Sequence, residues 1–562
     1  MNRRKFCTNV FASATGLALG GLSAGKGGAR PARDNSEVST PVVPGPPDSV
    51  TVFFEGGEAR LRKISEGMWQ AAGMEVQTVP GPTGLNVSLS SPKTPVTRLR
   101  LRWRENLSRA KLFLGDHWER SYGDLEWRGE VPNRTLPWYL LAWEGKRTDG
   151  YGVATAPGAF CFWNADRSGI SLWADVRSGG AGVLLGDRTL PVCEVRFRRG
   201  KADESPFSAT RWFCRALCDH PLLPRLPLFG TNDWYYSYGD SHPDLILKTT
   251  EMIVSLSPDG SNRPWSVVDD GWSPAGPEAG RWDRGNDRFG DMAAFADRIR
   301  TAGAQPGIWF RPLLADGRRP DSLRLARDRL YLDPSLPEVL SIVAEDTQRL
   351  HDWGYRLIKH DYTSFDILGR WGFAMGSTLT DDGWRFSDRG RTTAEIVLRL
   401  YRTMREAAGD SILIGCNTFS HLAAGVFEIN RIGDDVGGRS WDRTRRMGVN
   451  ALAFRAPHHG AFYAADPDIA PITSRHPWPK GKQWLDLLAA SGMPVFVSPE
   501  VGAVDAEVRN AIKRAFVSAA IPQPGAEPLD WLETVCPRRW RLRGRLEEFD
   551  WADPDGPWPF KD

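Results

Sequence analysis

At 562 residues the chain is longer than one hydrophobic core organises, so two or three domains are expected. Its 41% hydrophobic and 25% charged residues give a globular composition with ample apolar material for cores. A net charge of +3 with no long basic tract argues against nucleic acid as a partner.

The chain starts MNRRKFCTNVFASATGLALGGLSAGKGGARPA. Arg3 and Arg4 followed by Phe6 resemble a twin-arginine export signal, assigned to residues 1–30. The Gly/Ala-rich stretch behind them is too short and too weakly apolar for a membrane span, and no other segment approaches one. A periplasmic or extracellular bacterial protein is therefore expected, with no span in its mature form. Residues 31–47 read as a linker. Past Cys7, six cysteines remain, and an oxidising compartment permits disulfides among them, with 15 full pairings open. Cys214 and Cys218 have no His pair at ligand spacing, so no structural zinc is expected.

From 48 to 220 the pattern is β. TVFFEGG, MEVQTV, LNVSLSS, TRLRLRWREN, KLFLGD, WYLLAWEG, AFCFWN, ISLWADV, GVLLGD and CEVRFRRG alternate apolar and polar positions between turn residues, which predicts a β-sandwich. ATRWFCRALC (209–218) is helical and leads out of it.

Between 221 and 521 the pattern becomes strand–helix alternation. The strands are LPLFGTNDW, WSVVDDGW, QPGIWFRP, YRLIKHDY, SILIGCN, VFEINRIGDD, GAFYAADPD and MPVFVSP, with amphipathic stretches such as PEVLSIVAEDTQRLHDWG and TTAEIVLRLYRTMREAAG between them. Eight such units predict a (β/α)8 barrel, with a doubly wound sheet as the alternative; the short SHLAAG connection predicts an irregular fifth unit. Residues 522–562 read as a short β appendage.

Active sites of such barrels lie at the C-terminal strand ends. LIKHDY puts Lys359 and Asp361 two apart, on one face of an extended chain. Asp269 and Asp270 end the second strand and Asp434 and Asp435 the sixth; Asn232, Asp233, Trp234, Trp272, Trp309, Arg311, Cys416, Asn417, Arg431, Asp466 and Asp468 complete the ring. Carboxylates gathered with cations around one mouth suit glycosidic cleavage, which needs two carboxyls across one bond and polar groups that grip hydroxyls. The 24 Trp fit either sugar faces or core packing.

LIKHDY is similar to the K-x-D nucleophile motif of the α-galactosidases of glycoside hydrolase families 36 and 27, and SVVDDGW to their aspartate pair after the second strand. KLFLGDHWERSYGDLEW resembles the N-terminal β-domain of family 36, and YAADPD the seventh strand of the clan. The resemblance implies Asp361 as nucleophile, with Lys359 holding a hydroxyl and favouring the ionised carboxylate. It implies hydrogen bonds from Asp269 and Asp270 to O4 and O6, and an apolar sugar face shaped by Trp272 and Trp309. Arg327 lines up with a substrate-contacting arginine and Cys416 with a cysteine near O2. Arg431 and Asp435 match the R-x-x-x-D that carries the acid/base, with Asp434 as the alternative. That acid needs a raised pKa. His360, Arg311 and NTFSHLAAG depart from the family pattern; His360 should point away from Asp361 on an extended strand and serve packing.

The implied protein is a retaining exo-α-galactosidase acting on oligosaccharides or glycoconjugates without metal or organic cofactor, and the resemblance also admits an oligomer. α-N-acetylgalactosaminidase, β-L-arabinopyranosidase, a transglycosidase and a non-catalytic carbohydrate-binding protein are the alternatives on the same sequence.

Overall fold

The structure, a computed structural model, describes residues 42–553 and 556. The expected export signal and most of the linker lie outside the described residues. Two antiparallel sheets open the described chain. One has six strands and the other eight, in the orders 57–60, 49–54, 96–104, 169–175, 160–166, 136–137 and 62–65, 68–71, 74–80, 85–90, 189–198, 148–153, 139–143, 112–115. Strand Val96–Arg104 shows how alternation builds the sandwich. Val96, Leu99, Leu101 and Trp103 are buried on the inner face, while Arg98, Arg100 and Arg102 point outward, Arg102 pairing with Asp166 across the sheet at 2.7 Å. GVLLGD is not a strand: Val183 makes one bridge to Val96 and the chain then turns. Three short strands between Gly57 and Ala71 escaped the sequence pattern because they are mostly exposed.

Helix Pro206–Leu217 leaves the sandwich. Ser205 caps its first turn and Pro206 fits the position with no N–H to satisfy, while Phe207, Thr210, Phe213, Cys214 and Leu217 form its buried stripe. The parallel sheet then follows the expected strands: Phe229–Asn232, Trp265–Val268, Gln305–Phe310, Leu357–His360, Ile412–Gly415, Ile429–Arg431, a divided seventh, and Val495–Pro499. Ala464–Asp466 pairs with the sixth strand and Ala470–Ile472 with the eighth. The first strand pairs with both the second and the eighth, so the ring closes through a seventh strand broken at Pro467, which has no N–H for a ladder. Ser420–Ala423 is the only helical turn between the fifth and sixth strands, as the short connection implied.

The C-terminal segment forms a three-stranded antiparallel sheet whose Trp531, Trp540 and Trp551 are buried. Sandwich and barrel meet through buried polar pairs. Asp116 and Arg455, both fully buried, lie 2.7 Å apart, and Tyr139 Oη and His458 Nε2 are 2.8 Å apart. Ser121 joins the sixth-strand loop by backbone bonds in both directions, from its N to Ile432 O and from Asp434 N to its own O. Trp118, Trp138, Trp163, Trp272, Trp484 and Trp540 are fully buried, so core packing is the use of each. Cys161, Cys193, Cys214, Cys218, Cys416 and Cys536 are all buried free thiols. Among the described residues, no helix is long and apolar enough to cross a membrane.

Candidate active site

The fourth strand ends at His360, and Asp361 keeps one ladder bond, from its N–H to Phe310 O. Tyr362 then takes a left-handed conformation at φ 64°, which non-glycine residues adopt rarely and which clusters at functional positions. That turn aims the Tyr362 N–H at Asp361 Oδ1 (2.7 Å), while Trp309 Nε1 donates to Oδ2 (3.2 Å). Two donors thus fix the Asp361 carboxylate, which is half-buried at the mouth. His360 points the other way: it is fully buried against Tyr401 and Phe427, and burial pushes its ring down to about 3. The packing role expected for it holds.

Lys359 does not bond Asp361. Its Nζ donates to Asp269 Oδ2 at 2.6 Å, and Asn232 Nδ2 donates to the same oxygen at 2.6 Å. Burial works against the Lys359 charge, yet Asp269, Cys416 and Asp361 outweigh it and hold the ammonium well above its ordinary range. On the second strand, Asp269 N–H bonds Asp233 Oδ1, and Gly271 turns the chain at φ 111°, where a Cβ would sit 2.2 Å from Gly239 O. Asp270 stays half-buried; burial, then Asp269, pushes its carboxyl up to about 6.

Arg431 organises the opposite wall. Its Nη2 reaches Asp435 Oδ1 at 2.9 Å and Asp468 Oδ2 at 3.0 Å, and its Nη1 lies 3.5 Å from Cys416 Sγ. Asp468, buried at φ 80° in the break of the seventh strand, also accepts from Tyr235 Oη and Val436 N; burial raises its carboxyl to about 6. Asn232, Lys359, Arg431, Asp466 and Asp468 line a small cavity beneath the mouth. Asp435 keeps about a third of its side chain exposed (35%), whereas Asp434 is 14% exposed and bracketed by Arg120 (2.7 Å) and Arg443 (2.9 Å). Burial pushes Asp435 up, but Arg120, Arg431 and Lys359 outweigh it and hold its carboxyl below the usual range. This reverses the raised pKa expected of the acid/base: Arg120 arrives from the sandwich, outside the strand-end motifs.

Asp361, Arg431, Lys359 and Arg120 all act on the Cys416 thiol, which places the candidate nucleophile and the Asp435 wall around one centre. Trp309 joins it through Asp361. Trp272 does not: it is fully buried against Trp282 and Trp353 and donates to Trp309 O at 2.8 Å, so no sugar reaches it. The Arg327 guanidinium is held by the carbonyls of Asp366 (2.9 Å) and Ile367 (3.3 Å) rather than by Asp361 or Asp435. Arg311 pairs with Asp366 at 2.5 Å and stacks on Tyr362 at 4.0 Å. The residues missed are Glu119 and Arg120 of the sandwich. Glu119, fully buried, accepts from Asn417 Nδ2 and Gly372 N (both 2.6 Å) and from the hydroxyls of Ser364 and Tyr122, tying together the loops after the fourth and fifth strands. Both missed residues stand in the polar loop GDHWERSYGD, past the end of strand 112–115, where no apolar alternation marks a residue as directed at the barrel.

Fold and mouth together define a β-sandwich fronting a (β/α)8 barrel with carboxylates and cations at its C-terminal strand ends. That architecture is the one of the family 36 α-galactosidases. An α-galactosidase from Thermus thermophilus, solved with p-nitrophenyl α-D-galactopyranoside, superposes with a TM-score of 0.57 at 19% identity, over 89% of this chain and 99% of that one. A variant of the family 36 α-galactosidase AgaA from Geobacillus stearothermophilus, solved with raffinose, gives 0.57 at 12% identity over 87% and 78%. The α-galactosidase from Lactobacillus brevis gives 0.54 at 11% identity over 84% and 72%. No protein-family model and no curated protein matches the sequence, so the likeness is one of fold.

Proposed function

We propose that the protein is an exported retaining exo-glycosidase that removes terminal α-D-galactosyl residues from oligosaccharides or glycoconjugates. The observation that carries this reading is the convergence of two partly open carboxylates, Asp361 and Asp435, on one frame of Lys359, Arg431 and Cys416. The galactoside, stachyose and raffinose bound by the solved neighbours support the choice of sugar.

In this mechanism an Asp361 oxygen attacks the anomeric carbon as the bond to the leaving oxygen breaks, and Asp435 gives that oxygen its proton. Water then attacks the glycosyl ester while Asp435 takes a proton back, and the two carboxyls work about 5–5.5 Å apart. Asp270, near neutrality of charge in mildly acidic solution, is suited to trade hydrogen bonds with sugar hydroxyls. Asp435 is preferred to Asp434 because it is the more open of the two.

The ionised Asp435 favours one other reading, a non-catalytic carbohydrate-binding protein. Hydrolysis of aryl α-galactoside, α-N-acetylgalactosaminide, β-L-arabinopyranoside and α-glucoside by wild type and Asp361→Asn separates the readings. Turnover of the first, with retention by NMR and loss in the variant, supports the proposal; turnover of the second or third reassigns the sugar. Binding without turnover in both proteins supports the binder. Export is tested by replacing Arg3 and Arg4 with lysine, which should keep the protein inside the cell.

A further inference from the structure

Arg120 stands on a sandwich loop, is 6% exposed, and ends among the barrel carboxylates. Its Nη2 pairs with Asp434 Oδ1 at 2.7 Å, its Nη1 lies 3.3 Å from Asp435 Oδ1 and 3.9 Å from Cys416 Sγ, and its plane covers Trp371 at 5.5 Å. The loop cannot slide, since Glu119 is held by Asn417 and Gly372, and Ser121 is held by the backbone of the sixth-strand loop. A buried guanidinium needs a partner, and Asp434 already supplies one. The second contact, to Asp435, is not needed to keep Arg120 paired, and so calls for a functional explanation.

We propose that Arg120 is a positioning residue of the glycosidase site: resting on Asp435, it aims that carboxylate and governs when it carries the proton. This rests on the reading of Asp435 as acid/base. Asp435 is faced by Arg120 from the sandwich, Arg431 and Asp434 from its own segment, Arg443 from the helical turn that follows and Lys359 from the fourth strand, and further by Asp468, Tyr235, Tyr362 and Cys416. Lys359 is committed to Asp269 at 2.6 Å, and Arg431 is shared with Asp468 at 3.0 Å. Arg120 makes the longer of the two arginine contacts with the Asp435 carboxylate and keeps Asp434 if that contact opens. A leaving-group oxygen arriving at Asp435 Oδ1 competes with Arg120 Nη1 for the same atom. As the sugar enters, Arg120 withdraws to Asp434, and Asp435 loses one of the three cations that oppose its protonation, Arg431 and Lys359 remaining.

The test compares pH profiles of kcat/KM for wild type, Arg120→Met and Arg120→Lys, on an alkyl α-galactoside and on α-galactosyl fluoride. Departure of the alkoxide needs the acid; departure of fluoride does not. Removing the cation raises the Asp435 pKa, so the alkaline limb on the alkyl galactoside should move up by about one pH unit or more in Arg120→Met and return in Arg120→Lys. The fluoride profile should lack that limb in every protein. A uniform fall at all pH values with an unmoved limb, or no change at all, overturns the proposal. If Arg120→Met does not fold, Arg120→Gln, whose amide can still donate to Asp434, removes the cation alone, and the same limb is read. Wild type inert on both substrates takes down the glycosidase reading and this proposal with it, whereas an active wild type with an unmoved limb takes down the role of Arg120 alone.

Discussion

Lys359 Nζ donates to Asp269 Oδ2 at 2.6 Å, so the cation two residues before Asp361 serves the acid of another strand. Both partners are buried, and removing one leaves a charge that water cannot reach. Lys359→Met is expected to cost about 3–5 kcal/mol in urea unfolding. Adding Asp269→Asn should recover part of that loss, and the double-mutant cycle measures how much belongs to the pair. Activity should be lost in both single variants, because Asp269 holds Asn232 and Lys359 lies beside Asp361.

Asp233 gives stability a pH dependence opposite to that of an ordinary salt-bridged acid. Burial, then the charge of Asp269, raises its carboxyl to about 7 in the folded protein. The folded state therefore binds the proton more tightly than the unfolded chain, and stability falls as pH rises from about 4 to about 7, by up to about 1.4 kcal/mol per pH unit for this group. Asp233→Asn suits the site, since its oxygen can take the Asp269 N–H and its amide can face Ser241 Oγ, which already donates to Asp270 O. Melting temperatures between pH 4 and pH 8 should decline less steeply in the variant. An unchanged slope would exclude Asp233 as its source.

The Asp116–Arg455 pair joins sandwich to barrel with no exposed surface on either side chain. Arg455 also donates to the carbonyls of Ile432 (3.1 Å) and His117 (3.2 Å), so its loss strands a carboxylate and two acceptors. Arg455→Leu should cost about 3–5 kcal/mol in chemical denaturation. Arg102→Ala, which breaks a partly exposed pair with Asp166, should cost about 1 kcal/mol or less.

What the sequence made legible was local. Short apolar runs ending in charges located the barrel strands, and period-two spacing correctly separated Lys359 from His360. Two-residue alternation stops where a strand stops, however. Trp272 lies past the Gly271 turn, and its direction follows that turn rather than the pleat. The seventh strand, read as GAFYAADPD, stopped at Asp468, so its second half, Ala470–Ile472 beyond the break at Pro467, went unread because three residues are too few for a periodic signal. Arg120 was illegible for another reason: its contact with Asp435 spans 315 residues and two sheets, and no periodicity encodes such a pairing.

Glu119 offers the sharpest separation of stability from function on that sandwich loop. Glu119→Gln keeps its shape but turns one acceptor into a donor facing Asn417 Nδ2 or Gly372 N, groups that themselves donate. One buried donor is then left without an acceptor, at about 1–3 kcal/mol. Asn417 also accepts from Ser364 Oγ at 2.6 Å and its backbone O accepts from Thr363 Oγ1 at 2.7 Å, so the disturbance reaches the helix Thr363–Leu368 directly behind Asp361. The expected outcome is a modest drop in melting temperature with a fall of tenfold or more in kcat/KM on aryl α-galactoside, an about 1.4 kcal/mol effect on the barrier. A variant that melts lower yet turns over at the wild-type rate would show that the loop carries fold stability alone.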